Sequence, residues 1–203
     1  MRMQLAEDWN TLCKVVKAAD VQLARPDLPT PSRLMCRYLI AGEDHRFRYH
    51  PGVDPIAICR AIGATLLVGS RQGGSTIAMQ LVRTVTGRYE NTFGRKLREA
   101  VLALLLTMRF GKQRLPDLYL WVAYYGWGMN NFLQACTRLR ISPNQLGEME
   151  AAKFVARLKY PEPRESTLRR QLQILTRGRH LIARAQKTQS SRVRNWIQKY
   201  GAI

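Results

Sequence analysis

Acidic side chains are scarce in this sequence, so their positions are informative. The 203 residues include 33 Lys and Arg against 14 Asp and Glu, which gives a formal net charge of +19. Glu43 and Asp44 are adjacent, and His50 and Asp54 follow within the same short segment. A carboxylate beside a second carboxylate can act as a general acid or base, because neighbouring charge and burial tune its proton affinity. This segment is therefore a candidate catalytic site.

Two other interpretations of this segment stay open. Its charges could tie a helix end to a loop through salt bridges, each of which contributes little. Its two histidines, His45 and His50, could also join the carboxylates around a metal ion. The segment has no H-E-x-x-H or comparable ligand spacing, which disfavours the metal site.

A second candidate is the start of a helix that follows two glycines. Gly73 and Gly74 precede Ser75 and Thr76, which are typical N-cap residues. Free N–H groups at such a helix start can hold an anion. The P-loop pattern G-x-x-x-x-G-K is absent, and a capped helix start without a ligand is the simpler interpretation.

The third candidate is Glu99, the only acid between Phe93 and Pro116. On a helix, Glu99 lies in line with Arg95 and opposite an apolar stripe. An exposed ion pair with Arg95 or Lys96 would stabilise the helix by only a few tenths of a kcal/mol. The face of Glu99 turns apolar one turn later, so this acid could instead line a cleft. The stripe comprises Phe93, Leu97, Val101, Leu104 and Met108.

The elements that must position these residues are predicted to be helical. Thr30, Asp54 and Ser142 each precede a proline as a helix N-cap would, and Ser142 also has Gln145 at capping-box spacing. Gly111 fits a helix stop. No alternating strand pattern of convincing length is present, so the fold is predicted to be mainly α. Helices are expected over 31–41, 55–69, 75–86, 92–110, 114–125, 129–140, 143–158, 167–187 and 191–200.

Composition sets the class of protein and its general partners. With 46% hydrophobic residues, the chain can bury a core, which excludes intrinsic disorder and a disulfide scaffold. Cys59 and Cys136 lie in apolar surroundings and are predicted to be buried, reduced thiols. The excess of arginine favours a polyanionic partner: nucleic acid, anionic lipid or a phosphorylated substrate. No signal peptide and no apolar run of about 20 residues is found.

Three sections are predicted along the chain. Residues 1–29 form an N-terminal helical segment, 30–187 the main domain and 188–203 a basic C-terminal tail. Residues 166–203 contain nine Lys and Arg and no acid. Such a stretch is either a solvated basic helix or a contact for a polyanion, and composition does not decide between them.

Taken together and in this order, the three candidate segments resemble the motifs of family 51 peptidoglycan glycosyltransferases. This family includes the transglycosylase domains of penicillin-binding proteins and their monofunctional relatives. The resemblance covers roughly residues 33–185. A weaker fourth motif runs from Leu115 through Tyr119 and Leu120 to Gly126 and Gly128, and the stretch Glu148–Ala152 resembles a later family helix. The first motif matches at Glu43, Asp44, Phe47, His50, Gly52 and Asp54, the second at Gly73, Gly74, Ser75, Thr76, Ile77 and Gln80, and the third at Arg95, Lys96 and Glu99.

The resemblance implies a lysozyme-like helical fold with a large lobe and a smaller membrane-facing lobe, which we expect within 47–90. It implies polymerisation of lipid II into glycan strands, with inversion at the sugar carbon and release of polyprenyl pyrophosphate. Glu43 would be the general base, and Glu99 would assist pyrophosphate departure, directly or through a divalent ion such as Mg or Mn. Substrate would be bound by Asp44, Phe47, His50, Gly74, Ser75, Thr76, Gln80, Arg83, Arg95 and Lys96.

The resemblance also implies a location and partners. Family members act at the outer face of the cytoplasmic membrane, so we expect a peripheral periplasmic protein that contacts anionic lipid. Since no membrane anchor is found in this sequence, a membrane protein could recruit it, the chain could be a trimmed piece, or it could be a cytoplasmic relative. The partners would be lipid II and the nascent glycan strand.

Several positions depart from the family pattern, and they keep other functions open. Ala78 and Met79 stand where the family usually has Thr-Gln, Asn91 where it commonly has Arg, and Trp121 where it has Asn; Arg88 could compensate for Asn91. A lysozyme-like protein that binds lipid II or glycan without polymerising it is therefore an alternative. A hydrolase is less favoured, because pyrophosphate-directed cations have no role in hydrolysis. A nucleic-acid-binding protein is disfavoured, because no binding module is present and the acids would be unexplained.

Overall fold

The computed structural model describes residues 2–68, 74–90 and 92–200 and is built from α-helices. Within these residues, β structure is limited to isolated bridges of Gly126 with Met129 and with Glu162. The prediction of a mainly α fold is therefore confirmed. The helices are α1 (Arg2–Leu23), α2 (Arg33–Glu43), α3 (Pro55–Val68), α4 (Ile77–Thr86), α5 (Phe93–Phe110), α6 (Leu115–Val122), α7 (Phe132–Leu139), α8 (Glu148–Ala156) and α9 (Leu168–Tyr200), with 3-10 turns at Phe47–Tyr49, Lys112–Arg114 and Pro143–Gln145.

Side-chain caps set most of the helix starts. The Thr76 hydroxyl accepts from the Met79 amide at 3.3 Å and caps α4. The Asp54 carboxylate accepts from the Ala57 amide at 3.1 Å at the start of α3, as predicted. The predicted cap at Thr30 is wrong: Ser32 is extended and its hydroxyl accepts from the Met35 amide, so α2 begins two residues later.

Three of the predicted helices are divided or joined in the structure. The predicted helix 143–158 is instead a 3-10 turn followed by α8, because the chain is extended between them at Leu146. Ser142 makes no capping bond. The predicted helices 167–187 and 191–200 are one helix, α9. Its Thr188 hydroxyl bonds back to the Arg184 carbonyl at 3.0 Å, so that polar residue is satisfied inside the helix. The expected boundary between 187 and 188 thus falls inside α9.

The chain divides into two compact units. Unit 1 comprises Met1–Thr30 and Arg46–Ala123, and so contains α1 and α3 to α6. In it, α4 packs against α1, α5 and α6. The expected smaller lobe, 47–90, lies wholly within unit 1. The fully buried core of unit 1 includes Leu12, Val16, Ile77, Leu81, Leu102, Leu106, Leu115 and Leu118.

Unit 2 comprises Pro31–His45 and Tyr124–Ile203, and so contains α2 and α7 to α9. In it, α2 packs against both α8 and α9, which also pack against each other. Gly42 of α2 lies so close to Leu181 of α9 that a Cβ at residue 42 would collide with the leucine side chain. An aromatic cluster of Tyr125, Phe132 and Phe154 fills the other side of the core, with ring centroids 4.6 and 5.4 Å from Phe154.

The cysteines are free thiols in the structure. Cys136 is buried as predicted, and burial raises the pKa of its thiol to about 12, so it is a packing residue rather than a nucleophile. The prediction for Cys59 is wrong, because it lies on the exposed side of α3. No helix among the described residues is both long and apolar enough to cross a bilayer.

Candidate active site

Glu99 is the buried centre of a charged cluster in unit 1. Its side chain is 3% exposed. Arg83 of α4 donates from Nη2 to Oε1 at 2.8 Å and from Nε to Oε2 at 3.2 Å. Arg95, one turn earlier on α5, donates to Oε2 as well. The interpretation of Glu99 as an exposed pair is therefore wrong: one carboxylate fixes two guanidinium groups in a buried site.

The helix start at Ser75 and Thr76 helps to place Arg83. Ser75 Oγ accepts from Arg83 Nη2 at 2.9 Å. Thr76 Oγ1 donates to the Gly52 carbonyl at 2.5 Å, which joins the start of α4 to the loop that precedes α3. Burial alone would lower the pKa of Arg83, but the hydrogen bonds and charge of Glu99 raise it, so this residue is a permanent cation.

The apolar stripe on α5 faces outwards. Phe93 is 80% exposed and Met108 is 81% exposed, whereas Leu102 and Leu106, on the side of Glu99, are buried. The helix therefore buries the face that carries its one acid. This is energetically tolerable because α4 supplies Arg83 as a counter-charge.

Glu43 is the last residue of α2, in unit 2. Its Oε1 accepts from Arg177 Nη2 at 2.7 Å, and the same nitrogen lies 3.3 Å from the Gly42 carbonyl. The Glu43 side chain is 24% exposed, so it remains reachable from solvent. Asp44 follows as a buried helix C-cap, whose amide bonds to the Ile40 carbonyl.

Arg177 is a site residue that the sequence reasoning missed. It lies on α9 among the acid-free residues that were interpreted as solvated or polyanion-binding. Its Nη1 is 3.2 Å from Nδ1 of His180. Burial, then the charges of Arg177, Arg184 and Lys159, lower the pKa of His180. The spacing of Arg177 from the buried Ile174 and Leu181 is the signal that could have placed it on the packed face of α9.

The rest of the first motif forms a buried polar loop in unit 1. Arg46 Nε donates to Asp54 Oδ2 at 2.9 Å, and His50 Nδ1 accepts from the Gly52 amide at 3.1 Å. Burial would raise the pKa of Asp54, but the Ala57 amide and Arg46 outweigh it and hold that pKa low. For Asp54, the interpretation that this segment is tied together by salt bridges is therefore supported.

Phe47 and His50 contact each other and Lys112. Their rings meet edge to face, with centroids 6.3 Å apart, and both residues are buried. The Lys112 ammonium lies 4.9 Å from the centre of the Phe47 ring and donates to the His50 carbonyl. These contacts shape the loop; the substrate-binding roles of the two residues stay predictions.

Three of the positions that depart from the family pattern, Ala78, Met79 and Trp121, lie in the core of unit 1. Ala78 and Met79 are buried, and so is Trp121, whose Nε1 donates to Gln22 Oε1 of α1 at 3.0 Å. Gln80, one of the predicted substrate-binding residues, accepts from the Tyr119 hydroxyl at 2.9 Å. Gly73 and Asn91 lie outside the described residues.

The structure thus groups the predicted site residues into two sets. Ser75, Arg83, Arg95 and Glu99 are bonded together in unit 1, and the exposed Lys96 lies on the same helix as Glu99. Gly74, Thr76, Gln80, Phe47 and His50 also belong to unit 1, whereas Glu43 and Asp44 belong to unit 2.

The surroundings of Glu99 do not fit a divalent ion. Both of its oxygens accept hydrogen bonds from guanidinium groups, whose charge repels a metal cation. Within the part of the chain that is described, no three His, Cys, Asp or Glu residues cluster as metal ligands. The chemistry derived below therefore does not use a metal ion, and assistance by Mg or Mn at Glu99 stays a prediction.

Comparison with known proteins identifies the family whose motifs the sequence resembles. The family model described as transglycosylase matches residues 14–186. The chain belongs to the transglycosylase family. The mainly helical structure is consistent with the lysozyme-like fold expected of this family.

Individual relatives align with different shares of this transglycosylase-family chain. A biosynthetic peptidoglycan transglycosylase of Alcanivorax borkumensis is 34% identical over 71% of the chain and 60% of its own length. Penicillin-binding protein 1B of Haemophilus influenzae is 41% identical over 46% of the chain, which corresponds to 12% of that protein. Penicillin-binding protein 1A of Escherichia coli is 40% identical over 46% of the chain and 11% of its own length. The chain thus matches between about a tenth and three fifths of the length of these relatives.

Proposed function

We propose that this protein is a peptidoglycan glycosyltransferase that polymerises lipid II and releases polyprenyl pyrophosphate. The observation that carries the proposal is the Arg83–Glu99–Arg95 cluster, in a chain of the transglycosylase family. Two guanidinium groups fixed by a buried carboxylate suit a diphosphate that gains negative charge as it leaves.

In the proposed reaction, the Glu43 carboxylate takes the proton of the acceptor's 4-hydroxyl group. The freed oxygen forms a bond to the anomeric carbon of the donor as the bond from that carbon to the pyrophosphate oxygen breaks. The pyrophosphate leaves with the electron pair, and the configuration at the carbon inverts. Glu43 suits a base because it is partly exposed and Arg177 holds its position.

The role of Glu99 in this proposal is indirect. Since both of its oxygens bind arginine, it orients Arg83 and Arg95 rather than contacting the reacting atoms. The arginines are the groups that would contact the diphosphate, and Ser75, Gln80 and Lys96 would complete the substrate contacts.

We also propose that the exposed face of α5 contacts an anionic membrane at its outer surface. Phe93, Leu97 and Met108 are large apolar side chains, each more than half exposed. A continuous apolar face of this kind marks an interaction surface. A formal net charge of +19 would add attraction to anionic headgroups.

A binding protein without polymerase activity is the alternative that a specific observation favours. Ala78, Met79 and Trp121 are apolar and buried where family members carry polar residues, so those side chains offer no polar contact to a substrate. Such a protein would bind lipid II and leave it unchanged.

Polymerisation of lipid II by the purified protein separates the two functions. Strand formation by the wild type, and its loss in Glu43→Gln, would support the transferase. Binding of lipid II without product would support the alternative. If the protein neither binds lipid II nor forms product, both functions are contradicted. Addition of EDTA to the same assay tests whether a divalent ion such as Mg or Mn takes part in the reaction.

A further inference from the structure

A second set of arginines borders the Glu99 cluster and is fixed by α1. Asp8 of α1 is 7% exposed. Arg88 Nε donates to both of its carboxylate oxygens at 3.0 and 3.1 Å, and Arg88 Nη2 donates to Oδ1 at 3.0 Å. Arg98 Nη1 lies 3.8 Å from Oδ2, and Arg98 Nη2 donates to Gln4 at 3.2 Å. One carboxylate of α1 therefore holds two cations of the chain region that follows α4.

These cations and the Glu99 cluster share one small cavity of unit 1. The cavity measures about 10 Å³, enough for about one water molecule. Its charged lining is Asp8, Arg83, Arg88, Arg95, Arg98 and Glu99. Four guanidinium groups face two carboxylates, so the positive charge exceeds the negative by two.

Two N–H donors of these arginines have no acceptor among the described residues. The Nε atoms of Arg95 and Arg98 are buried, and their N–H groups donate to no acceptor there. The Arg95 side chain is 9% exposed, so water offers little compensation. A buried donor without an acceptor is costly, so the two carboxylates do not fully compensate these arginines.

We propose that Asp8 is a positioning residue for pyrophosphate binding: it fixes Arg88 and Arg98 beside Arg83 and Arg95, so that the four act on one diphosphate. This inference rests on the proposed function and adds a role for α1, whose Leu12 and Val16 anchor it in the core of unit 1. Arg88 is 31% exposed and binds Asp8 through Nε and Nη2. Its outer edge therefore remains available to a ligand.

Asp8 suits this role because its pair with arginine is more deeply buried than the pair of Asp20. Asp20, on the same helix, also pairs with an arginine, and Arg114 Nε donates to it at 3.0 Å. Both side chains of that pair are nearly half exposed, and neither lines the cavity that contains the four arginines. Asp20→Asn is therefore a matched control for Asp8→Asn: the same substitution, the same helix, and a pair with arginine in each case.

The first measurement is calorimetric titration of the intact protein with farnesyl pyrophosphate, which carries the diphosphate without needing turnover. We expect Asp8→Asn to weaken binding by about tenfold, because it loosens charge-assisted contacts. Asp20→Asn is expected to stay within about twofold of the wild type, and Asp8→Glu to recover part of the loss. Arg88→Gln should weaken binding as Asp8→Asn does, and the double variant should lose little more.

Thermal unfolding and lipid II polymerisation complete the test. For Asp8→Asn we expect kcat to fall by about tenfold at saturating lipid II. Equal farnesyl pyrophosphate binding by Asp8→Asn and Asp20→Asn, or a change in unfolding temperature alone, would overturn the positioning role. Absence of farnesyl pyrophosphate binding by the wild type would overturn it too. A wild type that binds in an Asp8-dependent way but forms no strands would contradict only the polymerase function.

Discussion

At the scale of single residues, both candidate catalytic acids are defined by the arginines that they bind. Glu99 holds Arg83 and Arg95 in a buried cluster, whereas Glu43 binds Arg177 and stays partly exposed. The two carboxylates therefore suit different tasks. A buried acid between two cations orients them, and a partly exposed acid can exchange a proton with a substrate hydroxyl.

Replacement of Glu43 and Glu99 should separate these tasks. Glu43→Gln is expected to keep its unfolding temperature, since glutamine still accepts from Arg177, and to lower polymerisation by about 100-fold or more. Glu99→Gln should instead lower the free energy of unfolding by about 3 kcal/mol, because it leaves two buried cations facing each other. Urea denaturation and the lipid II assay measure the two effects.

Asp27→Asn is the control for the stability effect, because the Arg25–Asp27 pair is 57% exposed on both sides. It should leave the denaturation midpoint unchanged. A Glu99→Gln variant as stable as this control would contradict the structural role given to the Glu99 cluster.

His180 should make the stability of the protein depend on pH. Its pKa is lowered in the folded state from the usual 6.5. The unfolded chain then binds a proton more readily than the folded chain, so stability is present above about pH 6.5 and falls as the pH drops below it. His180→Gln should flatten the fall in unfolding temperature between about pH 7 and pH 5. An unchanged slope would show that other groups control it.

At the scale of elements, the loop between the first motif and α3 depends on one glycine conformation. Gly52 has a φ of 118°, and a Cβ there would collide with the Thr107 hydroxyl of α5. Its carbonyl accepts from Thr76, the N-cap of α4. One residue thus sets the distance between this loop, α4 and α5.

Gly52→Ala should therefore destabilise the protein more than an alanine at another left-handed glycine. Gly87 ends α4 with a φ of 64°, and no atom lies within 4 Å of a Cβ placed there. Gly87→Ala should cost about 1 kcal/mol from backbone strain alone, and Gly52→Ala at least about 2 kcal/mol, because steric overlap is added. Denaturant midpoints compare the two, and an equal cost would argue against the close contact with Thr107.

At the scale of the whole molecule, positive charge and the exposed stripe of α5 favour contact with an anionic membrane. Phe93→Ser with Met108→Ser should reduce co-sedimentation with phosphatidylglycerol vesicles several-fold, since each side chain removed is about 80% exposed. The double variant should keep the free energy of unfolding of the wild type, because side chains that are this exposed contribute little to the core. Binding of the wild type should also weaken as salt rises.

Val21→Ser, at a 60% exposed position of α1, is the control for loss of an exposed apolar side chain. It should leave vesicle binding unchanged. A double variant that sediments as the wild type does would place the membrane contact elsewhere on the protein.

The sequence by itself determined the helical class, several helix caps and the acids of the site. These features depend on neighbours within about four residues, as the Asp54 and Thr76 caps show, and on local spacing such as that of Arg95 and Glu99. The motifs also predicted the family before any geometry was known.

Only the tertiary structure decided which side of each helix is buried and which distant residue pairs with each acid. Glu43 and Arg177 are 134 residues apart, and Asp8 and Arg88 are 80 apart, so no local pattern links them. The apolar stripe of α5 faces outwards because Arg83 of α4 neutralises Glu99 on the opposite face. Burial of a charge depends on a counter-charge from another element, and helical periodicity along one segment carries no information about that partner.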